Sequence, residues 1–207
     1  MEDHRKRWMD KNLIPAIILN ILAVVYISIQ LFSLNKIQWI IILVLSSLSI
    51  LYLLPNKNHI GLRWLPGLKI VTISVSWAIL IIPFGFYSEL PTSALIIQSI
   101  LVFLFVIALT IPFDLRDLHN DSIDLKTLPQ IIGSKNAVRL SQLIFIIIGT
   151  LIILDSNELQ NKIIHLLFTV ISLLLVEKSN NRKINYYNFW IEGIPFFWLS
   201  VIFILGK

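Results

Sequence analysis

The chain has no cysteine among its 207 residues, which removes structural disulfides, thiolate metal sites and cysteine nucleophiles together. Any bound metal must be held by oxygen or by histidine, of which there are only 4. Charge is scarce as well. Asp, Glu, Lys and Arg make up 14% of the residues against 57% hydrophobic, whereas a soluble domain sits near ~25% and ~45–50%. With a mean hydropathy of +0.82, these shares exclude a soluble domain and define an integral membrane protein. Internal repeats, low-complexity tracts and a soluble module are all missing, so 1–207 reads as a single membrane domain. The net charge of +5 and pI near 9.5 would suggest an anionic partner in a soluble chain. Here the basic residues have a topological role first, and no nucleic-acid partner is expected.

Long uncharged runs dominate what is present. A hydrocarbon core about 30 Å thick needs roughly 20 apolar residues of helix. Seven runs approach that size: Leu13 to Phe32, Ile37 to Leu54, Leu68 to Tyr87, Ser93 to Phe113, Val138 to Leu154, Ile163 to Val176 and Tyr187 to Leu205. The sixth is short, and extends backward by a turn if the Lys162 amine snorkels to the interface. The first follows "HRKR" as a signal peptide would, yet it exceeds the ~7–15 residues of a signal core and lacks a small-residue cleavage site, so it reads as a retained helix.

Seven crossings sort the lysines and arginines by side. Arg5, Lys6, Arg7, Lys11, Lys57, Arg63, Lys69, Arg116, Lys126, Lys135, Arg139, Lys178, Arg182 and Lys183 fall on one side, 14 of the 17; only Lys36, Lys162 and Lys207 fall on the other. By the positive-inside rule the amino terminus, a tail over 1–12, is cytoplasmic and the carboxyl terminus lies outside, in a plasma or inner membrane.

Against this background residues 112 to 129, "PFDLRDLHNDSIDLKTLP", hold 4 of the chain's 12 acidic residues: Asp114, Asp117, Asp121 and Asp124. If the fourth helix continues past Pro112, all four fall within an arc of about 80°. Carboxylates about 6 Å apart repel by roughly 3 kcal/mol at an effective dielectric near 20, so the cluster calls for a cation. Arg116, aimed elsewhere on the helix, supplies it only in part. Oxygen ligands without a cage suit Mg²⁺, commonly shared between one or two carboxylates and the phosphates of a substrate. At a membrane interface that substrate would be an amphiphile. The plainer reading is a solvated loop over 114–137 in which Asp121 or Asp124 caps a helix; its expected boundaries are Pro112, Pro129 and Gly133, with Ser134 as N-cap of the fifth helix.

"DLRDLHNDSIDLKTLP" resembles the second aspartate-rich motif of the UbiA superfamily of intramembrane prenyltransferases, D-x-x-D-x-x-x-D followed by a spacer and K-T-L-P: here Asp114, Asp117, Asp121 and then Lys126, Thr127, Leu128 and Pro129. Tyr52, Pro55, Lys57, "LPGLKI" at 65–70 and Trp77 are similar to the family's basic loop and the helix after it. The resemblance implies an all-α, UbiA-like helical bundle lacking the first two of nine helices, and with them the first motif, N-x-x-x-D-x-x-x-D, which Asp3 and Asp10 do not restore. It implies Mg²⁺ on Asp117 and Asp121 as catalytic ligands, with Asp114 in support. Lys57, Arg63, Arg116 and Lys126 would bind the diphosphate of an isoprenyl diphosphate, whose prenyl group passes to an aromatic or lipid acceptor. The alternative is a non-catalytic or truncated member that binds an isoprenoid diphosphate or a partner subunit. An ion transporter is disfavoured because the aspartates lie at a helix end rather than at mid-membrane.

Other residues stand out less sharply. His59 lies between Lys57 and Arg63. Glu192, in the last apolar run, is a candidate cavity residue because acids within membrane helices tend to be functional, although it also suits an interface beside Arg182 or Lys183. His165 is expected to hydrogen-bond a neighbouring helix. Trp190, Phe196, Phe197 and Trp198 are expected as belt or packing residues before cavity residues.

Overall fold

In lipid an apolar run has no water to bond its backbone, so it must satisfy its own N–H and C=O groups as helix. In the computed structural model, which describes residues 11–54, 61–118, 121–155, 158–180 and 182–205, all regular structure among the described residues is helical. The principal helices are α1 (Leu13–Leu31), α2 (Lys36–Leu53), α3 (Leu68–Ile81), α4 (Thr92–Asp117), α5 (Ser134–Asp155), α6 (Leu159–Glu177) and α7 (Ile194–Leu205).

Five of these are long and apolar enough to cross a membrane: α1, α2, α3 with its extension to Phe86, α4, and α5 as far as Leu154. Among the described residues, these correspond to the first five of the seven expected runs. α6 begins before Lys162, at Leu159, and runs for 19 residues to Glu177. The last run is broken rather than short. A helical turn at Ile184–Tyr186 leads into a π-turn at Tyr187–Ile191, and Glu192 and Gly193 interrupt the chain before α7 starts.

Contacts divide the chain into two compact units, Met1–Ile42 and Leu43–Lys207. In the first, no residue of α1 is buried. A reciprocal cap opens α2: the Asn35 N–H donates to Gln38 Oε1 (3.1 Å) and the Gln38 N–H to Asn35 Oδ1 (3.0 Å), closing two of the donors that a helix start leaves bare. In the second unit α4 packs against both α3 and α5, and α5 against α6. Phe105 of α4, Phe145 of α5 and Phe168 of α6 meet with ring centroids 6.0–6.4 Å apart, within the range of favourable edge and tilted contacts. Where α5 crosses α6 the backbones approach so closely that a Cβ on Gly149 would run into the Thr169 side chain, the small-residue packing common between membrane helices.

Pro112 does not end α4, contrary to the boundary expected there; the helix runs through it for five further residues. Proline has no N–H and so abandons the carbonyl four residues earlier, here that of Ala108. That carbonyl is instead taken by the Ser141 hydroxyl of α5, which donates to it at 2.7 Å in a fully buried position. A side chain from the next helix thus replaces the lost backbone bond, and the helix carries Asp114 and Asp117 on its last turn.

Candidate functional site

α4 stops at Asp117 and tightens, with the Leu118 N–H bonded back to Leu115 O at 3.4 Å. The four aspartates therefore do not line one face of a continued helix. Asp121 follows in a turn, its N–H donating to Asp117 O (2.8 Å), and Asp124 lies exposed in a 3-10 turn at Ile123–Leu125. The "KTLP" segment then has a local structural role. Lys126 takes a positive φ of 43°, and Thr127 opens a short helix, Leu128–Ile132, whose Gln130 reaches back to accept from the Thr127 N–H at 2.9 Å. Ser134 is the first residue of α5 rather than its cap; the preceding Gly133 supplies the carbonyl that receives the Ala137 N–H.

Two aspartates in a last turn face the negative end of the helix dipole, and two cations offset this. One is Lys69, which sequence reasoning assigned to topology and not to the site. Leu65, Pro66, Gly67 and Leu68 form a tight turn, closed by the Leu68 N–H on Leu65 O (3.0 Å), with Gly67 at φ 72°. Proline followed by glycine favours such a turn, and it starts α3 so that Lys69 falls on its first turn. The Lys69 ammonium donates to Asp114 Oδ1 at 2.7 Å and to Asp121 Oδ2 at 3.4 Å, joining residues 45 and 52 positions apart. Asp114 is buried, 2% exposed; Asp121 is 16% exposed and Asp117 34%.

The second cation is Arg116. It was expected to aim away from the cluster, but its long side chain curls back on its neighbour and grips Asp117 with both arms, Nε to Oδ1 at 2.8 Å and Nη2 to Oδ2 at 2.9 Å. Its Nη1 also donates to Asn188 Oδ1 at 3.2 Å in the π-turn, and its guanidinium sits 5.2 Å from the Phe113 ring centre. This planar fork suits carboxylate and phosphate alike.

The expected site residues are thus only partly brought together. Asp114 and Asp121 share Lys69, whereas Asp117 is held by Arg116. Among the described residues no group of three or more His, Asp or Glu side chains is arranged to hold a metal ion. Arg63 is exposed in a 3-10 turn, Leu62–Trp64, that lies against the turn containing Asp124; Lys126 is exposed. Lys57 and His59 lie outside the described residues. Glu192 follows the π-turn and lines a cavity with Trp190, Phe196 and Phe197, whereas the Trp198 side chain falls outside the described residues. The backbone carbonyl of His165 accepts from Thr169 Oγ1 within α6 (2.8 Å).

No family model, curated protein or solved structure matches this chain.

Proposed function

We propose that the protein is a UbiA-like intramembrane prenyltransferase that takes an isoprenyl diphosphate at the end of α4, in a chain that crosses the membrane seven times with its amino terminus in the cytoplasm. The observation that carries this reading is the interleaving of three aspartates with Lys69 and Arg116 at one helix end. Buried Asp114 is anchored by Lys69, while Asp117 and Asp121 remain accessible. Mg²⁺ held by these two carboxylates, with substrate phosphate completing its coordination, would displace the contacts they now make with Arg116 and Lys69 and would neutralise the diphosphate as it departs. In this reading Lys69 fixes Asp114, and Arg116, released from Asp117 when the metal binds, engages a phosphate together with Arg63, Lys126 and Lys57. The 14 of 17 basic residues that seven crossings gather on one side support the topology. The acceptor would be an aromatic or lipid molecule.

A second reading is favoured by the ion pairs themselves. Each of the three aspartates already has a cation partner, as suits a non-catalytic relative that binds an isoprenoid diphosphate or a partner subunit without Mg²⁺. One experiment separates the two: purified protein is incubated with Mg²⁺ and a panel of isoprenyl diphosphates, and diphosphate release is measured. Prenyl transfer requires Mg²⁺-dependent release that Asp117→Asn abolishes. Unchanged release in the variant removes Asp117 from the chemistry, and binding without release selects the second reading.

A further inference from the structure

A cavity of about 830 Å³ opens between α6 and the last segment of the chain, within the size range of small-ligand sites. Its walls are largely apolar and aromatic, with Phe168 and Leu175 on one side and Phe189, Trp190, Phe196 and Phe197 on the other. The π-turn at Tyr187–Ile191 shapes one edge: it inserts an extra residue per turn, as the Glu192 N–H bonding to Tyr187 O shows, and such turns recur at functional sites. Gly193 beside it has no side chain to intrude, and a Cβ there would meet the Phe189 carbonyl.

Four polar side chains line this apolar space; one, Ser200, donates its hydroxyl to the Phe196 carbonyl at 2.8 Å within α7. Ser172 of α6 is fully buried, and among the described residues its hydroxyl has no hydrogen-bond partner. A buried hydroxyl left in that state is destabilising. Asn188 has its carbonyl oxygen taken by Arg116, so its remaining capacity is as a donor. Glu192 brings a carboxylate that only accepts when ionised. We propose that this cavity binds a membrane-soluble molecule with an apolar body and a hydroxyl head, the hydroxyl donating to Glu192 and accepting from Ser172 or Asn188. A cationic head is disfavoured because the Arg116 guanidinium already stands at the cavity wall, bonded to Asn188 Oδ1 at 3.2 Å. The long-chain alcohol and the alkylphenol share this chemistry. The inference stands independently of prenyl transfer, since it concerns binding without Mg²⁺ or diphosphate.

The test uses the full chain in lipid nanodiscs, without Mg²⁺, and follows quenching of tryptophan fluorescence by a bromododecylphenol. A saturable component is expected that disappears in Trp190→Phe. Dodecanol and dodecylphenol should displace the probe, their order showing which head fits better, while dodecane should compete about tenfold more weakly or worse because it leaves the polar groups unpaired. Glu192→Gln and Ser172→Ala should each weaken binding by about three- to tenfold, and Ser172→Ala, a small buried change, guards against misfolding as the cause. Dodecane competing as well as dodecanol, wild-type affinity in both variants, or stronger competition by dodecyltrimethylammonium would each overturn the proposal.

Discussion

Replacing Ser141 by alanine should weaken the protein in a way that a second substitution reverses. The Ser141 hydroxyl is the group that satisfies the Ala108 carbonyl abandoned by Pro112, at 2.7 Å and with no access to solvent. Leaving a buried acceptor bare costs about 1–3 kcal/mol in soluble proteins, while hydrogen bonds between membrane helices average about 0.6 and reach about 1.7 kcal/mol. Because this carbonyl has lost its helical donor as well, the cost lies where the two ranges overlap, at about 1–1.7 kcal/mol. For a chain of this size that lowers the melting temperature by roughly 2–8 °C. Pro112→Ala restores an N–H to the Ala108 carbonyl, so in that background Ser141→Ala should cost little, and the cycle should show a coupling of about 1 kcal/mol. The measurement is thermal unfolding of the four purified proteins in one detergent. Equal losses in both backgrounds, or no loss from Ser141→Ala alone, would refute the substitution of one bond for the other.

Three further outcomes follow from the packing. Lys69→Met leaves the Asp114 carboxylate buried without its cation, and because protonating an ordinary aspartate at pH 7 costs about 4 kcal/mol, the loss should not exceed that figure; Lys69→Met with Asp114→Asn should recover most of it, as read by the same melting assay. Gly149→Ala forces its methyl into Thr169 across the α5–α6 crossing and should destabilise by about 1–3 kcal/mol, with Thr169→Ala relieving most of the clash. Phe145→Ala opens a cavity of roughly 100 Å³ between Phe105 and Phe168, which at about 24 cal/mol per Å³ adds about 2 kcal/mol to the lost transfer energy for a total of about 3–5 kcal/mol; denaturant unfolding in detergent would detect it.

Helix positions were legible to within a few residues because the bilayer imposes one rule on every span: backbone bonds close within the segment, and the segment must be long and apolar. α1 to α5 obey that rule, and their starts follow local chemistry such as the Asn35–Gln38 cap and the Pro66–Gly67 turn. The final segment departs from the expected continuous run, through a π-turn that no periodicity signals. At the site the sequence marked Asp114, Asp117 and Asp121 by their density. It left Lys69 among the topological charges and misjudged Arg116, whose bidentate grip on an adjacent residue depends on side-chain reach rather than on helical angle.

Composition and run length alone determined that this chain is helical, with helices long and apolar enough to cross a membrane and an acidic cluster at the end of the fourth, because transfer of apolar side chains and backbone closure are properties of short segments. Tertiary structure decided which cation neutralises which carboxylate, what replaces the hydrogen bond lost at Pro112, and where a cavity opens beside Glu192. Apart from the Arg116–Asp117 pair, the ion pairs and the Ser141 bond join positions 33 to 52 residues apart, and Arg116 reaches Asn188 across 72. Such pairings are set by how helices pack, and no local pattern along the chain encodes them.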